Sequence, residues 1–283
     1  LTDGARKKYF AQRMNEQDHR LAIVEIGRRL YARGYIVAGD GNVSARLGER
    51  ILATPTGVCK GFLTPDMLAV VDRDGKKLEG PLNPSSELAM HLEIYRQRPD
   101  VQAVVHAHPP CGTGFAAAGM ALDSPLISEV VLTLGCIPLA AYGTPTTQEL
   151  ATAISPYVPH YDALLLANHG ALTYGPDLDT AYFRMETLEH FARISLVARL
   201  LGREKPLAPE AVEKLFLIRE QSGLGSPTAA LCGISPAGPL GTTHLPAAQH
   251  HGADEQITLT RKQLVELIAE SVEIVARLLS GRR

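Results

Sequence analysis

Residues 101–110 read VQAVVHAHPP, and this stretch decides the fold. Val101, Ala103, Val104, Val105 and Ala107 make a short apolar run, the pattern of a strand buried on both faces in a sheet covered by helices. Pro109-Pro110 lacks the amide donors that a sheet ladder needs, so the strand must stop there. It therefore ends on His106 and His108. Two residues apart on a strand, their imidazoles point to one face and can reach a single ion. The pair reads either as two metal ligands or as a polar strand end.

Further along the chain, ALLLA (163–167) is a second buried strand, closed by Asn168-His169-Gly170. IPLAAY (137–142) suggests another strand, and a helix is expected at 147–154. Before the central run, SELAMHLEIYRQ (86–97) places Leu88, His91, Leu92 and Tyr95 on one helical face, with Ser85 or Ser86 as its N-cap. Segment 39–57 (GDGNVSARLGERILATPTG) reads as small strands joined by tight turns, and 67–80 as a hairpin about Asp74-Gly75. A helix is expected over 16–33, stopped by Gly34, with others over 177–202, 209–220 and 260–280. Between the last two, residues 222–255 lose all periodicity and read as an excursion or lid. This pattern describes an α/β or α+β domain over 16–205 and a C-terminal extension over 206–283 with an irregular segment and a terminal helix.

Composition removes several functional classes. The 283 residues carry 28 Lys+Arg against 30 Asp+Glu, a formal charge of −2, so no field is present to draw in nucleic acid or an anionic membrane. Aromatic residues are 5% and Trp is absent, too few for a platform on which single-stranded bases stack. No apolar run reaches the length of a membrane span. Cys59, Cys111, Cys136 and Cys232 form no C-x-x-C pair, which argues against a zinc ribbon or a thioredoxin site. With the polar opening residues 1–19, a cytoplasmic location is expected.

Three features favour the metal reading of His106 and His108. The pair stands at a strand terminus, where sites gather. His169 follows another buried strand directly. Glu87 lies at the start of the helix that precedes the H-x-H strand. Three imidazoles and a carboxylate suit Zn²⁺, with Mn²⁺ or Co²⁺ as alternatives, and a carboxylate can leave the ion to act as a base. Pairs such as Glu87/His91 and Glu186/His190 are spaced i,i+4 and read as packing or surface polar groups on their helices. Three turn-rich segments, Gly41-Asn42-Val43-Ser44, Thr54-Pro55-Thr56-Gly57 and Pro84-Ser85-Ser86-Glu87, offer the amides and hydroxyls of an anion cradle. Lys60 is nearby in sequence and could add charge to such a cradle, although a surface lysine is the first reading.

The blocks GNVSAR (41–46), ILATPTG (51–57), PSSELAMH (84–91), AVVHAHPP (103–110) and LLLANHGAL (164–172), in this order, resemble the class II aldolase/adducin family. The resemblance implies a three-layer α/β/α fold around a central, mostly antiparallel mixed sheet, and a homotetramer with sites at subunit interfaces. It assigns Glu87, His106, His108 and His169 to the metal, Glu87 also to acid/base work, and Asn42, Thr56, Gly57, Ser85 and Ser86 to a substrate phosphate. Where the family's aldolase has a tyrosine proton donor, this sequence places Glu129. The implied reaction is metal-dependent cleavage of a ketose 1-phosphate to dihydroxyacetone phosphate and an aldehyde through an enediolate. Decarboxylation, epimerisation or dehydration of a related sugar phosphate or hydroxy-keto acid are the alternatives, and a non-catalytic adducin-like module is a further one.

Overall fold

The computed structural model describes residues 15–223. The chain opens with helix α1 (Glu16–Ala32), whose N-terminus is closed by a capping box between Asn15 and Asp18. Strands β1 (Asn42–Leu47), β2 (Arg50–Ala53), β3 (Ala69–Val71) and β4 (Lys77–Glu79) follow as an antiparallel meander. The turn into β4 is built by Asp72, whose carboxylate accepts the amides of Asp74 and Lys76. Helix α2 (Leu88–Gln97) leads to β5 (Ala103–Ala107), α3 (Pro110–Ala117), α4 (Ser128–Thr133), β6 (Leu139–Ala140) and α5 (Gln148–Ile154). Strands β7 (Ala163–Leu166) and β8 (Gly170–Gly175), then α6 (Leu178–Leu200) and α7 (Pro209–Gln221), complete the described chain.

The eight strands form one sheet in the order β4-β3-β2-β1-β5-β8-β7-β6. Every pairing is antiparallel except β6 with β7. β5 lies in the middle, and all five of its residues are buried, as its apolar run requires. Its side chains alternate between two cores. Ala103, Val105 and Ala107 face α1, α3, α4 and α6, whereas Val104 faces α2 and α5 with Leu164, Leu172 and Tyr174. The result is a three-layer α/β/α arrangement. Ile23, Ile26 and Leu30 anchor α1 to the first core with no more than 2% exposure, each contributing roughly 2 kcal/mol of burial.

Some elements differ from the sequence reading. The run Gly170–Gly175 is strand β8, hidden because the ANHG turn before it looks like a terminator rather than a hairpin turn. α4, a short helix of six residues, gives too little periodicity to be read. Helix α2 begins one residue after Glu87. Glu87 itself is the N-cap and makes no side-chain cap, while the Ser85 hydroxyl accepts its amide at 3.3 Å. The expected terminal helix over 260–280, and all but the first two residues of the 222–255 segment, lie outside the described residues. Among the described residues no helix is long and apolar enough to cross a membrane.

Candidate metal centre and active site

Sheet register gathers the site residues at one end of the central strands. His106, on β5, pairs with Asn42 on β1 to one side and Leu172 on β8 to the other. His169 occupies the tight β7–β8 turn beside it, where Asn168 takes a left-handed conformation (φ 54) that asparagine tolerates better than most residues. His108 leaves the end of β5 and its amide donates to the Tyr35 carbonyl. The segment after it is pinned because the buried carboxylate of Glu189, on α6, accepts the Cys111 and Gly112 amides at the start of α3. Two glycines let the backbones close on the cluster. A methyl group at Gly41, whose φ is +66, would stand 2.8 Å from the His106 carbonyl oxygen; one at Gly170 would stand 2.5 Å from the His108 ring.

The three imidazoles pack edge to face with ring centroids 4.7 to 5.1 Å apart, and one nitrogen from each lies within 4.8 Å of the others. Nδ1 of His106 is 2.9 Å from the Ala171 carbonyl oxygen. Only an N–H can make that contact, so Nε2 of the neutral ring carries the lone pair and points into the cluster. There it meets Nε2 of His108 at 3.2 Å. The Glu87 carboxylate closes the group, with Oε1 3.1 Å from Nε2 of His169 and Oε2 3.4 Å from Nε2 of His106. Asn42 Nδ2 donates to the same Oε2 at 2.8 Å. The outer nitrogen of His108, Nδ1, lies 3.4 Å from Asp40.

The electrostatics fit a cation. Burial pushes Glu87 upward, but the His169 hydrogen bond, the neighbouring His106 and His169 and the Asn42 amide outweigh it, holding the carboxyl well below the usual range. Burial, reinforced by His108 and His169, pushes His106 down to about 3 against the opposing pull of Glu87. His108 is lowered as well, chiefly by burial and by His169. Around neutral pH the site therefore combines a carboxylate with uncharged His106 and His108. The fit of a divalent ion is testable on one feature. Converging ring nitrogens and a carboxylate share protons only pairwise, whereas one cation engages all of them together.

The loops read as an anion cradle also meet. Ser85 donates its amide to the Thr54 carbonyl, Thr56 donates to Asn83, and Pro55 bridges Pro84. Buried Thr54 accepts the Val43 amide, tying this pair of loops to Asn42. Thr56, Gly57, Ser85 and Ser86 thus lie in adjoining turns beside Asn42 at the head of β1, whose Oδ1 is buried and without a hydrogen-bond partner. Glu129, by contrast, is exposed on α4, and its carboxylate has no hydrogen bond or ion pair among the described residues.

Sequence reasoning missed the setting of three groups. Lys60, read as a surface residue, is 2% exposed. Asp40 stands behind His108, a contact made across the β1–β5 pairing and invisible in spacing. His91, read as a packing or surface polar group, packs in the core behind the cluster, and the contacts not foreseen are Nδ1 to Ser44 at 2.7 Å and that hydroxyl to Tyr95 at 2.8 Å. Alternation along β1 and the helical face shared by His91 and Tyr95 were the available signals. Elsewhere, the described residues hold a 590 Å³ surface cavity lined by Arg46, Arg73, Glu93 and Arg96, and none of the three cluster histidines lines it.

Comparison with known proteins follows the same residues. The sequence model of the family described as "Class II Aldolase and Adducin N-terminal domain" matches residues 21–196. An L-fuculose phosphate aldolase of Methanococcus maripaludis is 37% identical over 174 residues, 62% of this chain and 94% of that protein. A 3-oxo-tetronate 4-phosphate decarboxylase of Escherichia coli is 36% identical over 188 residues, 64% of this chain and 88% of that protein. The solved structure of an L-fuculose 1-phosphate aldolase superposes with a TM-score of 0.69 at 28% identity, covering 75% of this chain and all of its own.

Proposed function

The chain belongs to the class II aldolase and adducin N-terminal domain family, and on that premise we propose that it is a metal-dependent lyase cleaving a ketose 1-phosphate to dihydroxyacetone phosphate and an aldehyde. One observation carries the reading: the nitrogens of His106, His108 and His169 and the carboxylate of Glu87 converge on a common point. These four residues would hold the ion, with Zn²⁺ preferred on ligand type and Mn²⁺ or Co²⁺ as alternatives. When bound, such an ion supplies Lewis-acid stabilisation of the enediolate charge, worth several kcal/mol.

The protein's own groups do the rest. Asn42, Thr56, Gly57, Ser85 and Ser86 bind the phosphate through amides and hydroxyls, which places the substrate carbons over the histidines. In cleavage the C3–C4 bond breaks as the C4 hydroxyl gives up its proton, and Glu87, once protonated, passes a proton to C3; the Asn42 amide holds the carboxylate in position by its hydrogen bond to Oε2. Residues 16–205 form the catalytic unit. The protein works in the cytoplasm as a homotetramer, an assembly that would cover exposed apolar groups such as Phe62, Tyr142, Phe183 and Leu200.

A second reading has its own support. The decarboxylase relative is about as similar to this chain as the aldolase one, and Glu129, aligned with the aldolase tyrosine, is exposed. Decarboxylation of a phosphorylated 3-oxo acid draws on the same charge stabilisation.

The test is reconstitution with Zn²⁺, Mn²⁺ or Co²⁺ followed by a product screen. Ketose 1-phosphates are assayed for dihydroxyacetone phosphate, and phosphorylated 3-oxo acids for CO₂. Dihydroxyacetone phosphate is the expected product, and Glu87→Gln should slow its formation roughly 10²–10⁴-fold. CO₂ alone would transfer the proposal to the second reading. Metal-loaded protein that forms neither product, or a Glu87→Gln variant as fast as wild type, would end it.

A further inference from the structure

The five residues proposed to bind the phosphate bring amides and hydroxyls but no positive charge. A phosphate monoester carries between one and two negative charges at neutral pH, and lysine is a common point-charge partner for it. Lys60 follows Gly57 by three residues and is 2% exposed. Its backbone is pressed against α1, since a methyl group at Gly27 would stand 2.3 Å from the Lys60 carbonyl oxygen. The side chain consequently runs inward, and Nζ donates to the Gly39 carbonyl.

That carbonyl accounts for one of three ammonium protons. Among the described residues Lys60 makes no other hydrogen bond and no ion pair within 4.0 Å. Gly39 itself touches the proposed pocket, with a methyl group built there lying 4.0 Å from the Gly57 Cα. The ammonium thus sits at the seam between the turn that carries Asp40 and Asn42 and the turn that carries Thr56 and Gly57. Burial lowers the Lys60 pKa, against the opposing pull of Asp40, Cys59 and Glu87. A buried ammonium with unused donors beside an uncharged anion cradle calls for an anion.

We propose that Lys60 is a binding residue for the phosphoryl group of the substrate, supplying the positive charge that Asn42, Thr56, Gly57, Ser85 and Ser86 lack. This rests on the phosphate pocket of the proposed function and adds a residue to it. Losing one charge-assisted hydrogen bond to phosphate corresponds to about a 10–100-fold fall in affinity.

The experiment is calorimetric titration of the metal-loaded full chain with inorganic phosphate, and then with phosphoglycolate and glycolate as a pair with and without the phosphoryl group. Wild type, Lys60→Met and Lys60→Arg are compared, with metal content measured on each; Lys60→Gln replaces the Met variant if that one fails to fold. The expected result is a 10–100-fold loss of phosphate and phosphoglycolate affinity in Lys60→Met, near-complete rescue by Lys60→Arg, and unchanged glycolate binding. A residue that merely tethers Gly39 would weaken all three probes alike, and that result overturns the inference, as does phosphate binding by Lys60→Met equal to wild type. Loss confined to glycolate also overturns it, assigning the ammonium to a carboxylate. Wild-type protein that binds no phosphate overturns the pocket itself, whereas intact binding in the variant removes only Lys60 from it.

Discussion

His91 lies wholly within the second core, with Nδ1 on Ser44 and Nε2 without a hydrogen-bond partner. Burial lowers its pKa from 6.5 to about 4, against a weaker opposing pull from Glu87. Between these two values the unfolded chain binds a proton that the folded chain refuses, so stability rises with pH in that window and falls as the solution is acidified. Taking the protein from pH 7.5 to pH 5 should therefore cost about 2 kcal/mol through His91 alone, with a ceiling of roughly 3 kcal/mol for the whole shift. His106 is displaced in the same sense, so the metal-free wild type should lose more than this. The perturbation is His91→Gln, which removes the titration and leaves an amide for Ser44. The assay is urea unfolding of chelator-treated wild type and variant at several pH values, at one protein concentration. A constant offset between the two curves would report packing, whereas the predicted signature is a slope shallower by about 2 kcal/mol in the variant across pH 7.5 to 5. Parallel curves over that range would refute the assignment of a proton-refusing imidazole at position 91.

Two further outcomes follow from the geometry. Gly170→Ala would set a methyl 2.5 Å from the His108 ring and 2.7 Å from the Ala107 carbonyl oxygen, so it should cost about 1–3 kcal/mol in urea unfolding and lower the metal content measured by elemental analysis; a fully loaded, equally stable variant would contradict the close approach. Asp40→Asn keeps the shape beside His108 Nδ1 but removes the charge 3.4 Å away, and should weaken metal binding roughly 10–100-fold in a competition with a chromophoric chelator.

Much of this architecture was written in local pattern. The β5 run and its Pro-Pro stop located the central strand, and the same run placed His106 and His108 at its end. α1, α2 and α6 announced themselves by periodicity, and the DG hairpin by its turn residues. β8 was not legible because a chain reversal at Asn168-His169-Gly170 depends on one asparagine in a left-handed conformation, which sequence signals less clearly than glycine. Lys60 and Asp40 were illegible for a different reason. Their environments are set by α1 closing over residue 60 and by β1 pairing with β5, contacts between segments distant along the chain. Charged residues in turns are ordinarily solvated, so only the assembled sheet identifies these as exceptions.

The split between an aldolase and a decarboxylase among the relatives has a physical basis in the site. Both reactions leave negative charge on the carbon next to a carbonyl, and both need that charge held and a proton moved. On the proposed function, the converging histidines, Glu87 and the Asn42 amide would deal with that shared charge whichever group departs. Selection between the reactions must therefore come from residues facing the departing group, where the C4 hydroxyl has to give up a proton to a base to leave as an aldehyde and CO₂ leaves with no such proton to lose. Glu129, exposed and unbound on α4, is not arranged in the described chain to accept that proton. A ketose 1-phosphate lyase built on this site must pass it to another group, and the pH profile of cleavage relative to decarboxylation reads that requirement out. Cleavage should carry an additional basic-group dependence, a loss of rate as that base is protonated at lower pH, that decarboxylation lacks; identical profiles for the two would refute the separation of roles.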